Sequence, residues 1–292
     1  MSVGGREYLE KHGVQDKIAE AVSTILRDRP ANPIAALGKL LTNPVTVCEY
    51  LMRIGYSETD AAALEGRKPS IADLTELVQK HITSVPFENI GQMGCPADGT
   101  GIPEVPIRMP SLDVTVSLKK IVMEKRGGFC YEVNYCFAWL LRKLGYCVRL
   151  SRSDVMTPGG PTPGHLCILV DGLDPACALL IDPGFGDAPR VPIPLSVKDE
   201  DGASAAVDDP MTGDTYLLKS TAEFGGRFNM MLMRQRKAGM MGTPMAEMFG
   251  VPDMPVAATP PEPVHIFNAD DDLSMDCEES TFGLEPFPQP QP

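Results

Sequence analysis

Apolar residues fall at helical spacing in five stretches before residue 145 and at strand-like spacing after it. Val14, Ile18, Val22, Ile25 and Leu26 predict a first helix, which "RDRPANP" ends with two prolines. Ile34, Leu37, Leu40 and Leu41 predict a second, shorter one. Val47, Tyr50, Leu51 and Ile54 follow. Ile71, Leu74, Leu77, Val78 and Ile82 come next, with Ser70 and Asp73 at the spacing of a capping box. Val133, Phe137, Leu140, Leu141 and Leu144 complete the series over roughly residues 130 to 145. After Gly145 the pattern changes. "CVRLSRSDV", "HLCILV" and "CALLID" read as strands, broken by "TPGGPTPG" and "DGLDPA". Helices followed by strands predict an α+β fold. From about residue 219 the chain is rich in Met, Gly and Pro, and "EPFPQPQP" reads as a loose, polyproline-like terminus.

Two features of the whole chain narrow the choice of partners. The 292 residues carry a formal net charge of −13, which argues against nucleic acid or an anionic membrane surface. No apolar run reaches the length of a membrane span, and "MSVGGREYLEKHGV" lacks the apolar core of a signal peptide. These features predict a cytoplasmic protein with its eight cysteines mostly reduced. No C-x-x-C occurs, and the acid clusters 199–201, 208–209 and 270–272 lack calcium-loop spacing, so no metal is expected. The first two helices are too small to bury a core of their own. They must self-associate or dock on something.

Candidate chemistry centres on "RGGFCYE". Cys130 stands at the mouth of a helix, behind Gly127, Gly128 and Phe129. Packing explains a buried cysteine. Reactivity is the alternative, because the first turn of a helix favours a thiolate. A nucleophilic thiol needs a base and usually a group to orient it. The chain has four histidines. His12 lies in the N-terminal hairpin. His81 falls in a helix, where a surface position is expected. His265 falls in the weakly patterned tail. His165 opens the strand "HLCILV" beside a Pro/Gly loop, either as a base or as a structural histidine. Asp182 ends the strand in "LLIDPGFG", as an orienting carboxylate or a turn residue.

"RGGFCYEVN", "HLCILV" and "IDPGFG", with "YLMRIGY" and "VPFENI" upstream, resemble the arylamine N-acetyltransferase family over about residues 46 to 220. The resemblance implies a papain-like Cys130–His165–Asp182 triad, with Cys130 as the acetyl-accepting nucleophile, His165 as its base and Asp182 orienting the imidazole. It implies acetyl-CoA as co-substrate, no permanently bound cofactor, and an arylamine or arylhydrazine acceptor in a ping-pong reaction. It also implies a helical bundle over 44–145, a β-barrel over 146–218 and a partial α/β lid with a Pro-rich tail over 219–292. Gly127 and Gly128 are candidates for close approach of the co-substrate to the backbone, or they only make the turn. Phe87, Phe129 and Phe185 either line an acceptor pocket or pack in the core. Two departures stand out. Pro183 follows the triad aspartate, where the family has a small or apolar residue. "VHIFNADDDLSMDCEESTFGLEPF" resembles the start of the family's lid, and the chain then ends.

"YLEKHGVQDKIAEAVSTILRDRPANPIAALGKLL" is similar to the Dpy-30 motif, a relative of the dimerisation and docking domain of protein kinase A regulatory subunits. That resemblance implies a homodimer through residues 7–43, domain 1–43, with a groove for a partner's amphipathic helix that would tether the enzyme to a larger assembly. Two alternatives remain at this level. One is a non-catalytic Dpy-30-type scaffold with a degenerate transferase domain, and the other is an acetyl-CoA or thioester hydrolase on the same triad.

Overall fold

In the computed structural model the described residues are Leu9, 14–30, 32–42, 45–89, 113–174, 177–196, 203–221, 227–236, 261–271 and Leu273. The chain divides into two units, Met1–Thr46 and Val47–Pro292. His12, the acidic run 199–201 and the tail from 274 lie outside the described residues.

The first unit is a helical hairpin of α1 (Val14–Asp28) and α2 (Pro33–Thr42), which pack on each other. Asn32 caps α2, its Oδ1 accepting the Ala35 N–H at 3.1 Å. Among the described side chains of α1, only Ala21 is buried. Ile18, Val22, Leu26, Ile34 and Leu41 are exposed, Leu26 to 69% and Ile34 to 76%. The hairpin therefore presents an apolar surface that its own two helices do not cover.

The second unit begins with α3 (Val47–Arg53), α4 (Glu58–Glu65) and α5 (Ile71–Ser84). α6 (Val114–Leu118) runs into a π-helical turn, Lys119–Met123, and α7 (Cys130–Lys143) follows. Ser57 and Ser70 cap α4 and α5, each accepting a backbone N–H three residues on at 3.1 Å. α7 is buried from Cys130 to Ala138 and forms the centre of this layer, with Leu51, Leu74, Leu77, Phe137 and Leu141 sealed from solvent. His81 does not lie on the surface as its helical position suggested. It is fully buried, and its Nε2 meets the Tyr50 hydroxyl at 3.0 Å. Burial, aided by the Arg53 charge, pushes it down to about 3.

Among the described residues eight antiparallel strands follow in the order β4-β3-β2-β1-β8-β7-β6-β5. They are β1 (Cys147–Thr157), β2 (Gly160–Asp171), β3 (Leu179–Ile181), β4 (Ile193–Pro194), β5 (Val207–Asp208), β6 (Thr215–Ser220), β7 (Met230–Gln235) and β8 (Glu262–Phe267). β4, at one end, also contacts β6 near the other, so the sheet curls towards a barrel. Its core comprises Cys167, Leu169, Leu180, Ile193, Tyr216, Leu218, Leu232, Val264 and Phe267. The sheet runs past the expected boundary at residue 218. β7 and β8 fall in the segment expected to start a lid, and β8 lies between β1 and β7 in the middle of the sheet. Leu232, Val264 and Phe267 are buried in the common core, which explains why these strands belong to it. No described helix is long and apolar enough to cross a membrane.

Candidate active site

The loop before Cys130 is held by polar contacts that the motif reading left out. Arg53, in "YLMRIGY", donates to the carbonyls of Ser84 (2.7 Å), Ile121 (2.9 Å), Arg126 (3.3 Å) and Lys125 (3.4 Å). One guanidinium thus ties together the end of α5, the π-helical turn and the glycine loop. Lys120 bonds both carboxylate oxygens of Glu132, at 2.9 and 3.1 Å. Glu132 in turn accepts the Phe129 N–H at 2.9 Å. That last bond is half of a capping box, made at a helix whose N-cap, Phe129, has no side-chain oxygen to offer.

Gly127 and Gly128 meet the chain itself. A Cβ on Gly127 would stand 1.9 Å from the Pro86 carbonyl oxygen. Gly128 donates to that oxygen at 3.2 Å, and its own carbonyl accepts the Glu88 N–H at 2.9 Å. At Gly127 the close approach that calls for glycine is therefore made by "VPFENI", and at Gly128 by Glu132 and Val133 of α7.

This frame sets Cys130 at the start of α7, against the register shift in the β1–β2 ladder beside Ser153 and Asp154. The Cys130 thiol lies 3.6 Å from the Gly164 carbonyl. The next residue along β2, His165, is buried and its Nε2 meets Asp182 Oδ2 at 2.6 Å. Nε2 is thus taken, which leaves Nδ1 for the thiol. Burial pulls His165 down, but the Asp182 charge and hydrogen bond, with the hydrogen bond and charge of Cys130, outweigh it and push the ring up to about 10. By contrast, burial pushes the thiols of Cys136 and Cys167 well up, as for ordinary core cysteines.

Asp182 is fully buried, so its charge has to be matched within the protein. The sequence reading missed two of the groups around it. Asn134, one turn along α7 from Cys130, donates to Asp182 Oδ1 at 2.8 Å and to the Leu166 carbonyl at 2.5 Å. Its Oδ1 accepts the Gly184 N–H at 2.8 Å. The i, i+4 spacing from Cys130 puts it on the same helix face, and that was the available signal. The other group is His265, expected in a weakly structured tail. It is instead fully buried on β8, with Nε2 3.3 Å from Asp182 Oδ2.

Phe129 and Phe185 are half-buried and Phe87 is exposed. Phe185 stands edge-on to the His165 ring, 5.5 Å between centroids. Phe129 and Phe87 meet at 5.7 Å, and Phe87 is 45% exposed. Pro183 is buried between Asp182 and Gly184 without parting Asp182 from His165.

A family model described as N-acetyltransferase matches residues 70–223. The arylamine N-acetyltransferase pineal gland isozyme NAT-3 of Gallus gallus is 34% identical over 153 residues, which is 51% of this chain and 46% of that protein. The arylamine N-acetyltransferase of Mycolicibacterium smegmatis is 34% identical over 145 residues, 47% of this chain and 45% of that protein. The chain spans about half the length of the curated relatives it matches. The solved arylamine N-acetyltransferase of M. tuberculosis superposes with a TM-score of 0.54 at 22% identity, covering 79% of this chain and 68% of that one. That of Mycobacterium marinum in complex with CoA gives 0.51 at 24% identity, covering 76% and 65%. These superpositions speak to the fold.

Proposed function

The chain belongs to the N-acetyltransferase family, whose model covers more than half of it, and from that premise we propose that it transfers acetyl from acetyl-CoA to an arylamine or arylhydrazine through Cys130. The observation that carries the proposal is the line of thiol, imidazole and carboxylate at the start of α7. Cys130 interacts with His165, and His165 is held at 2.6 Å by a buried Asp182.

His165 takes the Cys130 thiol proton. The thiolate attacks the thioester carbonyl and a bond forms from Sγ to the acetyl carbon. The carbon–sulfur bond to CoA breaks, and His165 gives its proton to the departing CoA sulfur. The acceptor amine then attacks acetyl-Cys130. His165 takes the amine proton, the nitrogen–carbon bond forms and Sγ leaves as thiolate, restoring the starting pair. The Cys130 backbone N–H, at the first helical position, is placed to donate to the oxyanion in both halves. Asp182 keeps the ring oriented. Phe185 and Phe129 flank the reacting groups and offer aromatic surface to the acceptor, with Phe87 behind Phe129.

The domain reading goes with this: a hairpin over 1–43, a helical bundle to 145, and then a barrel with strands contributed by residues beyond 218. The exposed apolar residues Ile18, Val22, Leu26, Ile34 and Leu41 support a homodimer through residues 7–43 that also receives an amphipathic helix of a partner. Measuring acetylation of a simple arylamine alongside acetyl-CoA hydrolysis tests the function. Acetyl-amine formation well above hydrolysis supports a transferase. Hydrolysis alone assigns the triad to thioester cleavage, and neither activity leaves a scaffold.

A further inference from the structure

His265 is a buried histidine beside Asp182 that the mechanism above does not use. β8 sets it opposite Val155 of β1 and Leu232 of β7. Its ring packs on His165 at 5.6 Å, Phe267 at 5.7 Å and Phe185 at 5.8 Å between centroids. The two nitrogens reach different partners. Nδ1 lies 2.9 Å from the Ser153 hydroxyl oxygen. Nε2 makes no hydrogen bond among the described residues, and Asp182 Oδ2, the oxygen already held by His165, lies 3.3 Å from it. A hydrocarbon ring would fill this space without burying polar atoms. Burying an imidazole here costs free energy unless both nitrogens are used.

The geometry also selects a tautomer. Ser153 has one hydroxyl proton and two acceptors in reach, Nδ1 at 2.9 Å and the Ile266 carbonyl at 3.0 Å. If the proton goes to Ile266, then Nδ1 must carry the ring hydrogen, and Nε2 turns a lone pair on the carboxylate. If it goes to Nδ1, then Nε2 carries the hydrogen and presents it to Oδ2. The negative charge on Asp182 favours the second arrangement.

We propose that His265 is a positioning residue: a neutral imidazole, protonated on Nε2, that shares Asp182 Oδ2 with His165 while Asn134 holds Oδ1. The carboxylate is then gripped from α7, β2 and β8 together, and its pull on the His165 proton is moderated by a second donor. Burial pushes His265 down to about 4, with Asp182 opposing and His165 assisting, which keeps the ring neutral at physiological pH. The titratable groups around His165 are Cys130 from α7, Asp182 after β3 and His265 from β8, and Cys167 on β2 also feels Asp182. The inference rests on the triad reading of the preceding section.

The test uses the full-length protein with nitrogen-15-labelled histidine. Four histidines keep the spectrum sparse. At pH 7 wild-type His265 is expected to show an unprotonated Nδ1 and a protonated Nε2. His265→Phe keeps a ring against Phe267 but removes the donor, so His165 should hold its proton about threefold more tightly, half a pH unit in its midpoint. His265→Gln, which keeps an N–H donor, should recover at least half of that shift. A wild-type His265 protonated on Nδ1 overturns the proposal. So does an unmoved His165 midpoint in His265→Phe, or a glutamine variant that behaves like phenylalanine. The wild-type spectrum decides the tautomer even if a variant fails to fold. Labelling of Cys130 by acetyl-CoA tests the triad reading separately: without labelling, that reading fails. Labelling with the wrong His265 tautomer removes only the present inference.

Discussion

Replacing Asn134 by leucine keeps the side-chain volume nearly constant and removes three hydrogen bonds at once. The Leu166 carbonyl, the Gly184 N–H and Asp182 Oδ1 would all lose a partner inside a fully buried site. A buried group left unpaired costs about 1–3 kcal/mol, and more when charged. Asp182 keeps His165, so its loss is partial. Three such groups sum to about 3–9 kcal/mol, a large share of the roughly 5–15 kcal/mol that holds a domain together. Urea unfolding followed by Trp139 fluorescence measures this directly. Trp139 is the single tryptophan of the chain, lies on α7 and stacks on Tyr50 at 6.3 Å. A destabilisation below about 1 kcal/mol would refute the reasoning, because it would mean that the three groups find other partners at no cost. Asn134→Asp should be at least as damaging near neutral pH, since it sets a second carboxylate against Asp182.

Three further expectations follow from the packing and the charges. Gly127→Ala forces a methyl group to within 1.9 Å of the Pro86 carbonyl and should cost about 1–3 kcal/mol or more in the same unfolding assay, because backbone has to move. His81 and His265 are held neutral, down to about 3 and about 4. Below about pH 6.5 the unfolded chain takes up protons that the native one refuses, so stability should fall by up to about 1.4 kcal/mol per pH unit per histidine. His165, raised to about 10, acts in the opposite sense. Its contribution is complete below about pH 6.5 and is lost as pH rises through 10, so stability against pH should be dome-shaped. Deleting residues 1–43, or changing exposed Ile18 to Asp, should turn a dimer into a monomer in sedimentation while leaving acetyl transfer largely intact. A monomeric full-length protein at micromolar concentration would remove the dimer proposal.

Helices α1, α2, α3, α5 and α7 and the first three strands were legible because their apolar periods are clean and their punctuation is strong, whereas the short α4 and α6 were not read. Ser70 caps α5 as its spacing suggested, and Cys130 opens α7. "TPGGPTPG" misled because Pro and Gly read as loop. The turn occupies only Pro158 and Gly159, and β2 starts at Gly160. β7, "MMLMRQ", hid for a different reason: methionine has no strand preference to announce, and burial alone made it a strand. The same blindness covered the shell around Asp182. His265 reaches it only because β8 threads between β1 and β7, a pairing across more than a hundred residues of sequence. His81 was misplaced because the partner that makes its burial tolerable, Tyr50, lies on another helix.

A brief pulse of acetyl-CoA on the full-length protein without acceptor, followed by intact-mass and peptide mapping, tests the central claim most directly. The account predicts one acetyl group, placed on Cys130, absent in Cys130→Ser, and discharged when an arylamine is added. An unmodified protein, or an acetyl group carried by exposed Cys147 or by a lysine instead, would contradict it.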